Sequence, residues 1–260
     1  MNSDHYIHNI DPVAFTIGDI GLSWYWLFYP LSFLSVFFIS DFVRKRTNDL
    51  TKNQLIDFFV VSWIGLLLGS RLVYILFYNL EYYLENPEMM IQFWRGGMSF
   101  HGALLGGFAA SYLFAKIRKV DVWSFYDNIV FGLPVALFLG RIGNFINGEL
   151  WGRQSELPWA VVFPQADQIP RHPSQIYEAI LEGPILAALL ILAYKKFKLS
   201  LGQLSALFVL GYGALRFIVE FFREPDRQVG YIFNYFSMGQ LLCLSMIILG
   251  AMIWRARKAS

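Results

Sequence analysis

Apolar residues in this chain gather in long runs separated by short polar stretches. Seven runs approach the roughly 20 residues that a helix needs to cross a hydrocarbon core. They lie at Leu22 to Val43, Ile56 to Tyr78, Met98 to Lys116, Tyr126 to Ile146, Gln175 to Tyr194, Gln203 to Arg223 and Ser237 to Trp254. The pattern predicts an all-α integral membrane protein of seven transmembrane helices, a single multi-pass domain over residues 1–260. Its longest polar insertion, residues 147–174 between the fourth and fifth helices, is read as a small extracytoplasmic head loop. No repeat, low-complexity tract or Gly/Ser linker interrupts the pattern.

Composition agrees, because 260 residues that are 56% hydrophobic, 18% aromatic and only 15% charged are too apolar for one soluble core. The single cysteine, Cys243, lies inside an apolar run, which leaves no disulfide framework or thiolate metal cluster and no obvious catalytic thiol. The first residues, MNSDHYIHNID, are polar and acidic where a signal peptide would be basic and then apolar, so the first run is expected to stay in the protein.

Basic residues set the orientation, since Lys and Arg in short loops stay cytoplasmic. One set of alternate loops holds Arg44, Lys45, Arg46 and Lys52, then Lys116, Arg118 and Lys119, then Lys195, Lys196 and Lys198, then Arg255, Arg257 and Lys258, which includes every lysine. The other set carries Asp4, Asp11, Glu81, Glu85, Glu88, Glu156, Asp167, Glu224 and Asp226. The amino terminus is thus predicted outside and the carboxyl terminus cytoplasmic. Topogenic charge with some attraction to anionic lipid accounts for the basic clusters, and no nucleic-acid partner is expected.

The arginines left over are Arg71, Arg95, Arg141, Arg153, Arg171, Arg216, Arg223 and Arg227. Arg141 and Arg216 fall in the outer halves of the fourth and sixth runs, His101 near the outer start of the third, and Glu178 and Glu182 near the outer start of the fifth. Ionisable residues in spanning segments cost roughly 2.5 to 3.5 kcal/mol each on insertion scales, so a cluster at one depth marks a functional site. The plainer reading is an internal ion-pair network that holds the bundle together. In the sixth run Tyr212, Arg216, Glu220 and Arg223 share one helical face. Arg216 can pair with Glu220, and Arg223 can reach Glu220 from the other side. With Arg141 added, the site is expected to carry net positive charge suited to a phosphate, which arginine grips bidentately.

The stretch GRIGNFINGELWG, from Gly140 to Gly152, drops an arginine, two asparagines and a glutamate onto the end of an apolar run. Its helix is expected to reach Arg141 and lose regularity near Gly143 and Asn144. A buried cation at a frayed helix end would invite an anion, with Asn144 and Asn147 adding amide groups. His101, beside glycines in SFHGALLGG, is either a satisfied hydrogen-bonding residue or a proton acceptor near neutral pH, and spacing alone does not separate the two. His172 opens the fifth run, where Ser174 could cap it. His5 and His8 show no partner. Trp24 and Tyr25 read as interfacial aromatics, although a tyrosine hydroxyl there could reach a lipid headgroup.

These stretches, with RHPSQIYE from Arg171, GYGALRFIVEFFREPD from Gly211, SWYWLFY near Trp24 and SMGQLL near Ser237, resemble the bacterial prolipoprotein diacylglyceryl transferases over nearly the whole chain. The resemblance implies a seven-helix inner-membrane enzyme. It would move the diacylglyceryl group of phosphatidylglycerol onto the lipobox cysteine thiol of a prolipoprotein signal peptide, forming a thioether and releasing glycerol phosphate. The family's important positions match Tyr25, His101, Arg141, Asn144, Glu149, Gly152, Tyr212, Arg216, Glu220 and Arg223 in residue type. The loop from Asn147 to Ser174 looks shorter than in some enterobacterial relatives.

The residues fit that implication. Arg141 and Arg216 could hold the phosphate and offset the charge it gains, His101 is a candidate base, and Tyr212 and Glu220 are positioning partners. No metal or cofactor is required. A transporter of an anionic solute or lipid would also use broken helices and embedded arginines, but the two halves show no inverted repeat. An aspartyl signal peptidase would need facing aspartates in the outer half, whereas Asp57 and Asp127 fall at inner helix ends.

Overall fold

The computed structural model describes residues 5–47, 50–224, 231–232 and 236–258. Asp4, Asp226 and Arg227 lie outside the described residues. The helices follow the apolar runs: α1 is Trp24–Thr47, α2 Lys52–Tyr78, α3 the short Leu80–Glu85, α4 Phe100–Arg118, α5 Val122–Ile129, α6 Leu133–Ile146, α7 Ser174–Ile180, α8 Leu186–Lys196, α9 Gln203–Val219 and α10 Met238–Lys258. Among the described residues four helical segments, α1, α2, Ser174–Lys196 and α10, are long and apolar enough to cross a membrane. There are up to five if α5 and α6, bent by 49°, form one span. The exposure pattern is inverted relative to a soluble protein. Phe38, Leu68, Phe77, Ile117 and Met252 are exposed, while Ser40, Ser70, Arg71, Asn144, Gln175, Glu178, Glu182 and Gln240 are buried. This is a multi-pass membrane protein.

The chain divides into two compact units, Met1–Val43 with Asp127–Ser260, and Arg44–Tyr126. In the second unit α2 and α4 meet along glycines: a Cβ on Gly69 or Gly65 would run into the Gly102 and Gly106 backbone. Small residues at such a seam let backbones approach where lipid offers no hydrophobic drive. Asp57 pairs with Arg118 at 2.6 Å.

The first unit carries short strands at its polar end. The hairpin β2 (Val13–Ile17) and β3 (Ile20–Ser23) turns through Gly18 at φ +59°. Strand β4 (Val161–Val162) pairs parallel with β1 (Tyr6–Ile7) and antiparallel with β5 (Pro170–Arg171). β6 (Tyr231–Ile232) pairs with β7 (Phe236–Ser237). His8, expected without partner, is buried between Phe145 and Phe163, and its amide donates to the Val162 carbonyl at 2.8 Å.

One expectation for the fourth run and one for the fifth need correcting. The α6 helix does not fray at Gly143 and Asn144 but continues to Ile146, because Gly143 makes room for a ring: a Cβ there would stand 2.9 Å from Tyr25. The break lies upstream, between α5 and α6, where Gly132 presses on Val36 of α1, leaving 2.7 Å from an added Cβ to the Val36 Cα, and Pro134 opens α6. Ser174 does not cap α7 either. Its hydroxyl donates to the Leu150 carbonyl at 3.1 Å, and Pro173 occupies the cap position. At the other end of the unit Asp127 caps α9, accepting from the amides of Gly202 at 2.6 Å and Ser205 at 2.8 Å.

Candidate active site

A break in the fifth run builds the centre of the site. Between α7 and α8 the chain makes a π-helical turn, Leu181–Ile185, in which Pro184 offers no amide and Gly183 packs against Phe138 of α6, 2.9 Å from an added Cβ. Glu178 and Glu182, one turn apart, both reach Arg141 on α6. Glu182 Oε2 is 3.0 Å from Nε and Glu178 Oε2 is 2.8 Å from Nη1. Arg216 on α9 meets the same pair, its Nη1 2.8 Å from Glu178 and 3.3 Å from Glu182, and its Nη2 2.7 Å from Glu220. Arg223 approaches Glu178 at 3.5 Å, and Ser237 donates to Glu220 at 2.9 Å.

The result is three guanidinium groups against three carboxylates, all largely buried. This corrects the expected net positive charge, which counted Glu220 alone among the acids: Glu178 and Glu182, which the sequence puts in the same cluster, balance the arginines. The Arg216–Glu220 pair follows its i,i+4 spacing. The helix carrying it ends at Val219, short of the expected Arg223. Glu178 lies within ion-pair distance of all three arginines, yet neither of its oxygens receives an aligned hydrogen bond. Its contacts are those of charge rather than of a closed hydrogen-bonded pair.

Beside this network opens a cleft of about 350 Å³, lined by Tyr25, Tyr29, Leu133, Leu137, Phe208 and, at its polar positions, Arg141 and Asn144. Asn144 is buried and donates to Glu149 Oε1 at 2.8 Å, while Gln175 donates to the Glu149 carbonyl at 2.6 Å. The Tyr25 hydroxyl accepts from Tyr29 at 3.1 Å. Tyr212 sits one turn before Arg216, its ring stacked on Phe208 and packed on the cluster of Val130, Leu186, Leu190 and Leu204.

Gly152 has a steric reason to be glycine. It bridges to Arg223, and a Cβ there would fall 2.5 Å from the Phe222 carbonyl oxygen and 2.6 Å from that of His172. Nearby, Arg153 donates to the carbonyls of Arg223 at 2.9 Å and Glu220 at 3.4 Å. Arg171 is buried against Asp167 at 2.6 Å and Glu224 at 3.3 Å, and the hydrogen bonds it donates to Asp167 raise its pKa against the opposing effect of burial. Burial, and secondarily the charge of Arg153, lowers the His172 pKa. His172 Nδ1 meets the Tyr177 hydroxyl at 3.2 Å.

Among the expected site residues, Tyr25, Arg141, Asn144, Glu149, Gly152, Tyr212, Arg216, Glu220 and Arg223 all belong to the first unit. His101 belongs to the second, in the first turn of α4, exposed and with its ring beside Phe100. The residues missing from that set are Glu178 and Glu182, whose one-turn spacing was the available signal.

Comparison with known proteins gives a consistent picture. The family profile described as prolipoprotein diacylglyceryl transferase matches residues 12–256. A protein of Idiomarina loihiensis is 47% identical, covering 96% of this chain and 94% of its own. One of Pasteurella multocida is 46% identical over 97% of this chain and 94% of its own, and one of Brucella anthropi 43% over the same shares. All three are named phosphatidylglycerol–prolipoprotein diacylglyceryl transferase.

Proposed function

Because the chain belongs to the prolipoprotein diacylglyceryl transferase family, we propose that its arginine–carboxylate network receives the phosphate of phosphatidylglycerol while the adjoining cleft takes the diacylglyceryl portion. The protein is a membrane transferase of lipoprotein maturation. The observation that carries the substrate assignment is Arg141, which lines an apolar cleft while belonging to a charge-balanced network.

The acceptor is the lipobox cysteine of a prolipoprotein signal peptide. Its thiolate sulfur attacks the glyceryl carbon that carries the phosphate oxygen. A C–S bond forms, the C–O bond breaks with its electron pair on oxygen, and glycerol phosphate leaves with one more negative charge than the phosphodiester had. Arg141 and Arg216 offset that charge, since oriented donors at a developing anion are worth most in a site that excludes water. Neutrality of the network at rest matters here: the carboxylates hold the guanidinium planes in place before lipid arrives, so no reorganisation is needed as the bond breaks.

His101 accepts the thiol proton and passes it to solvent. Asn144, oriented by Glu149, and the hydroxyl of Tyr25 contact the glyceryl oxygens. Tyr212 steadies Arg216, and Glu220, Arg223 and Gly152 complete the outer edge of the network. We place the protein in the bacterial inner membrane as one multi-pass domain with seven spans, amino terminus and active site outward, carboxyl terminus cytoplasmic. External thiol reagents on intact cells should then label a cysteine at Ser155 and miss one at Lys198, and the reverse would overturn that orientation. The activity is tested with purified protein, phosphatidylglycerol vesicles and a lipobox peptide. The cysteine peptide should gain a diacylglyceryl mass while its serine counterpart gains none, and absence of any adduct would refute the assignment.

A further inference from the structure

We infer that Arg71 is a positioning residue for this reaction: by gathering the backbone carbonyls of residues 89–97, it fixes the segment that leads into α4 and thereby where His101 stands. The inference rests on the reading of His101 as the proton acceptor.

Arg71 projects from α2 and is only 3% exposed. Its Nε donates to the Met90 carbonyl at 3.0 Å, Nη1 to Gly96 at 2.5 Å and Gly97 at 3.0 Å, and Nη2 to Met89 at 2.6 Å and Gln92 at 3.3 Å. A guanidinium has five N–H donors, and all of them find carbonyls here. The rings of Tyr83 and Phe93 lie 5.0 and 5.9 Å from its central carbon. Among the described residues its hydrogen bonds all go to backbone carbonyls and none to a carboxylate. A buried charge compensated by dipoles of one short segment serves to shape that segment, because the same charge could be neutralised at less conformational cost by a single acid.

Among the described residues the segment's own backbone hydrogen bonds are short-range. It consists of two short 3₁₀ turns, Pro87–Ile91 and Phe93–Arg95, followed by Gly96 and Gly97 at φ +78° and +74°. At Gly96 the paired ψ of −156° belongs to a region that is essentially reserved for glycine. That conformation turns the two glycine carbonyls toward Arg71. Beyond them the Ser99 amide donates to the carbonyl of Ser70, the residue preceding Arg71, at 3.0 Å, and the Ser99 hydroxyl caps α4 through the Gly102 amide at 3.3 Å. Only Met98, Ser99 and Phe100 separate Gly97 from His101. The path from Arg71 to the imidazole is therefore a short, hydrogen-bonded stretch of backbone, and a displacement of the segment by an ångström carries over to His101. Lysine cannot substitute, since an ammonium has three donors on one point and no planar fork.

The test is a double-mutant cycle on the full chain in detergent, with Arg71→Lys, His101→Gln and the double variant assayed for transfer rate against pH, and melting temperature measured alongside. Arg71→Lys should lower kcat by roughly 10²-fold, the scale of an ångström's misplacement, with KM for phosphatidylglycerol little changed. In the His101→Gln background it should lower kcat no further, and both single variants should lose the same rising limb of the pH–rate profile. Losses that multiply independently would overturn the inference. Gly96→Ala repeats the test should Arg71→Lys fail to fold: no atom lies within 4 Å of the added Cβ, yet the backbone must rotate the Gly96 carbonyl away. Wild-type turnover of His101→Gln would remove both the base assignment and the positioning role, while leaving the phosphate site to be judged by Arg141 and Arg216.

Discussion

Two embedded arginine sites in this protein solve the same electrostatic problem in opposite ways. Arg71 is enclosed by carbonyls of one segment and has no donor left to offer. Arg141 and Arg216 are compensated by carboxylates from two other helical segments, and Arg141 has contacts at Nε and Nη1 while its side chain lines a cleft. A saturated cation can only organise the chain around it. A cation that keeps donors to spare can still receive an anion. Burial of an arginine therefore says little about its role until its acceptors are identified.

The comparison breaks most directly on Arg141→Lys and Arg216→Lys. A lysine keeps the charge, and in the second case keeps a usable i,i+4 pair with Glu220. If these arginines serve only as counter-ions, transfer should survive. If they grip the phosphate as it gains charge, turnover should fall by roughly 10²-fold or more in each, the scale for losing one oriented donor at a developing anion. We expect the fall, with near-native melting in detergent. Near-wild-type rates in both variants would return the network to a purely structural role and erase its contrast with Arg71.

Much of this was legible in the chain, and the omissions share a cause. The apolar runs located the helices because burial in lipid imposes length and composition on each one separately. The Arg216–Glu220 contact was readable because one turn of helix brings the pair together. The Arg141 contacts with Glu178 and Glu182 were not, since they join different helices through a π-helical turn whose geometry depends on Gly183 meeting Phe138. The misplaced break in the fourth run has the same origin: Gly143 looked like a helix breaker until the Tyr25 ring filled the space it leaves. Among the described residues the Arg71 guanidinium donates only to backbone carbonyls, and backbone carbonyls leave no mark in a sequence.

Glycines sharpen the contrast at a smaller scale. Gly96 serves the Arg71 cage through its backbone conformation, in open space, whereas Gly152 serves the other site through close approach with no positive φ. Gly152→Ala forces a methyl onto the carbonyl oxygens of His172 and of Phe222, the residue before Arg223, so it should destabilise by about 1–3 kcal/mol, as overpacking does, and lower activity with it. Gly140→Ala is the control. Gly140 lines the cleft with nothing within 4 Å of an added Cβ, so melting should hold or rise slightly while KM for the lipid increases. Equal melting losses in the two variants would show that the Gly152 contact has no special weight.

The smallest effect expected concerns His172, where a cation is avoided rather than compensated. Burial first, and then the charge of Arg153, lowers its pKa below the ordinary histidine value of about 6.5. The folded state thus favours the neutral ring, which meets the Tyr177 hydroxyl. A depressed folded pKa gives a contribution to stability that is fully present above the unfolded value, and it declines as pH falls from there through the lowered folded value. Melting temperature should accordingly decrease on acidification through that window, modestly because the ring is partly solvated. His172→Gln retains a hydrogen-bonding partner for Tyr177 and removes the titration, so its melting should change less over the same range. Melting is the right observable, since it reports the fold rather than the transfer chemistry. An acid slope that is the same in wild type and His172→Gln would show that Arg153 and burial leave this histidine free to charge at no cost to the fold.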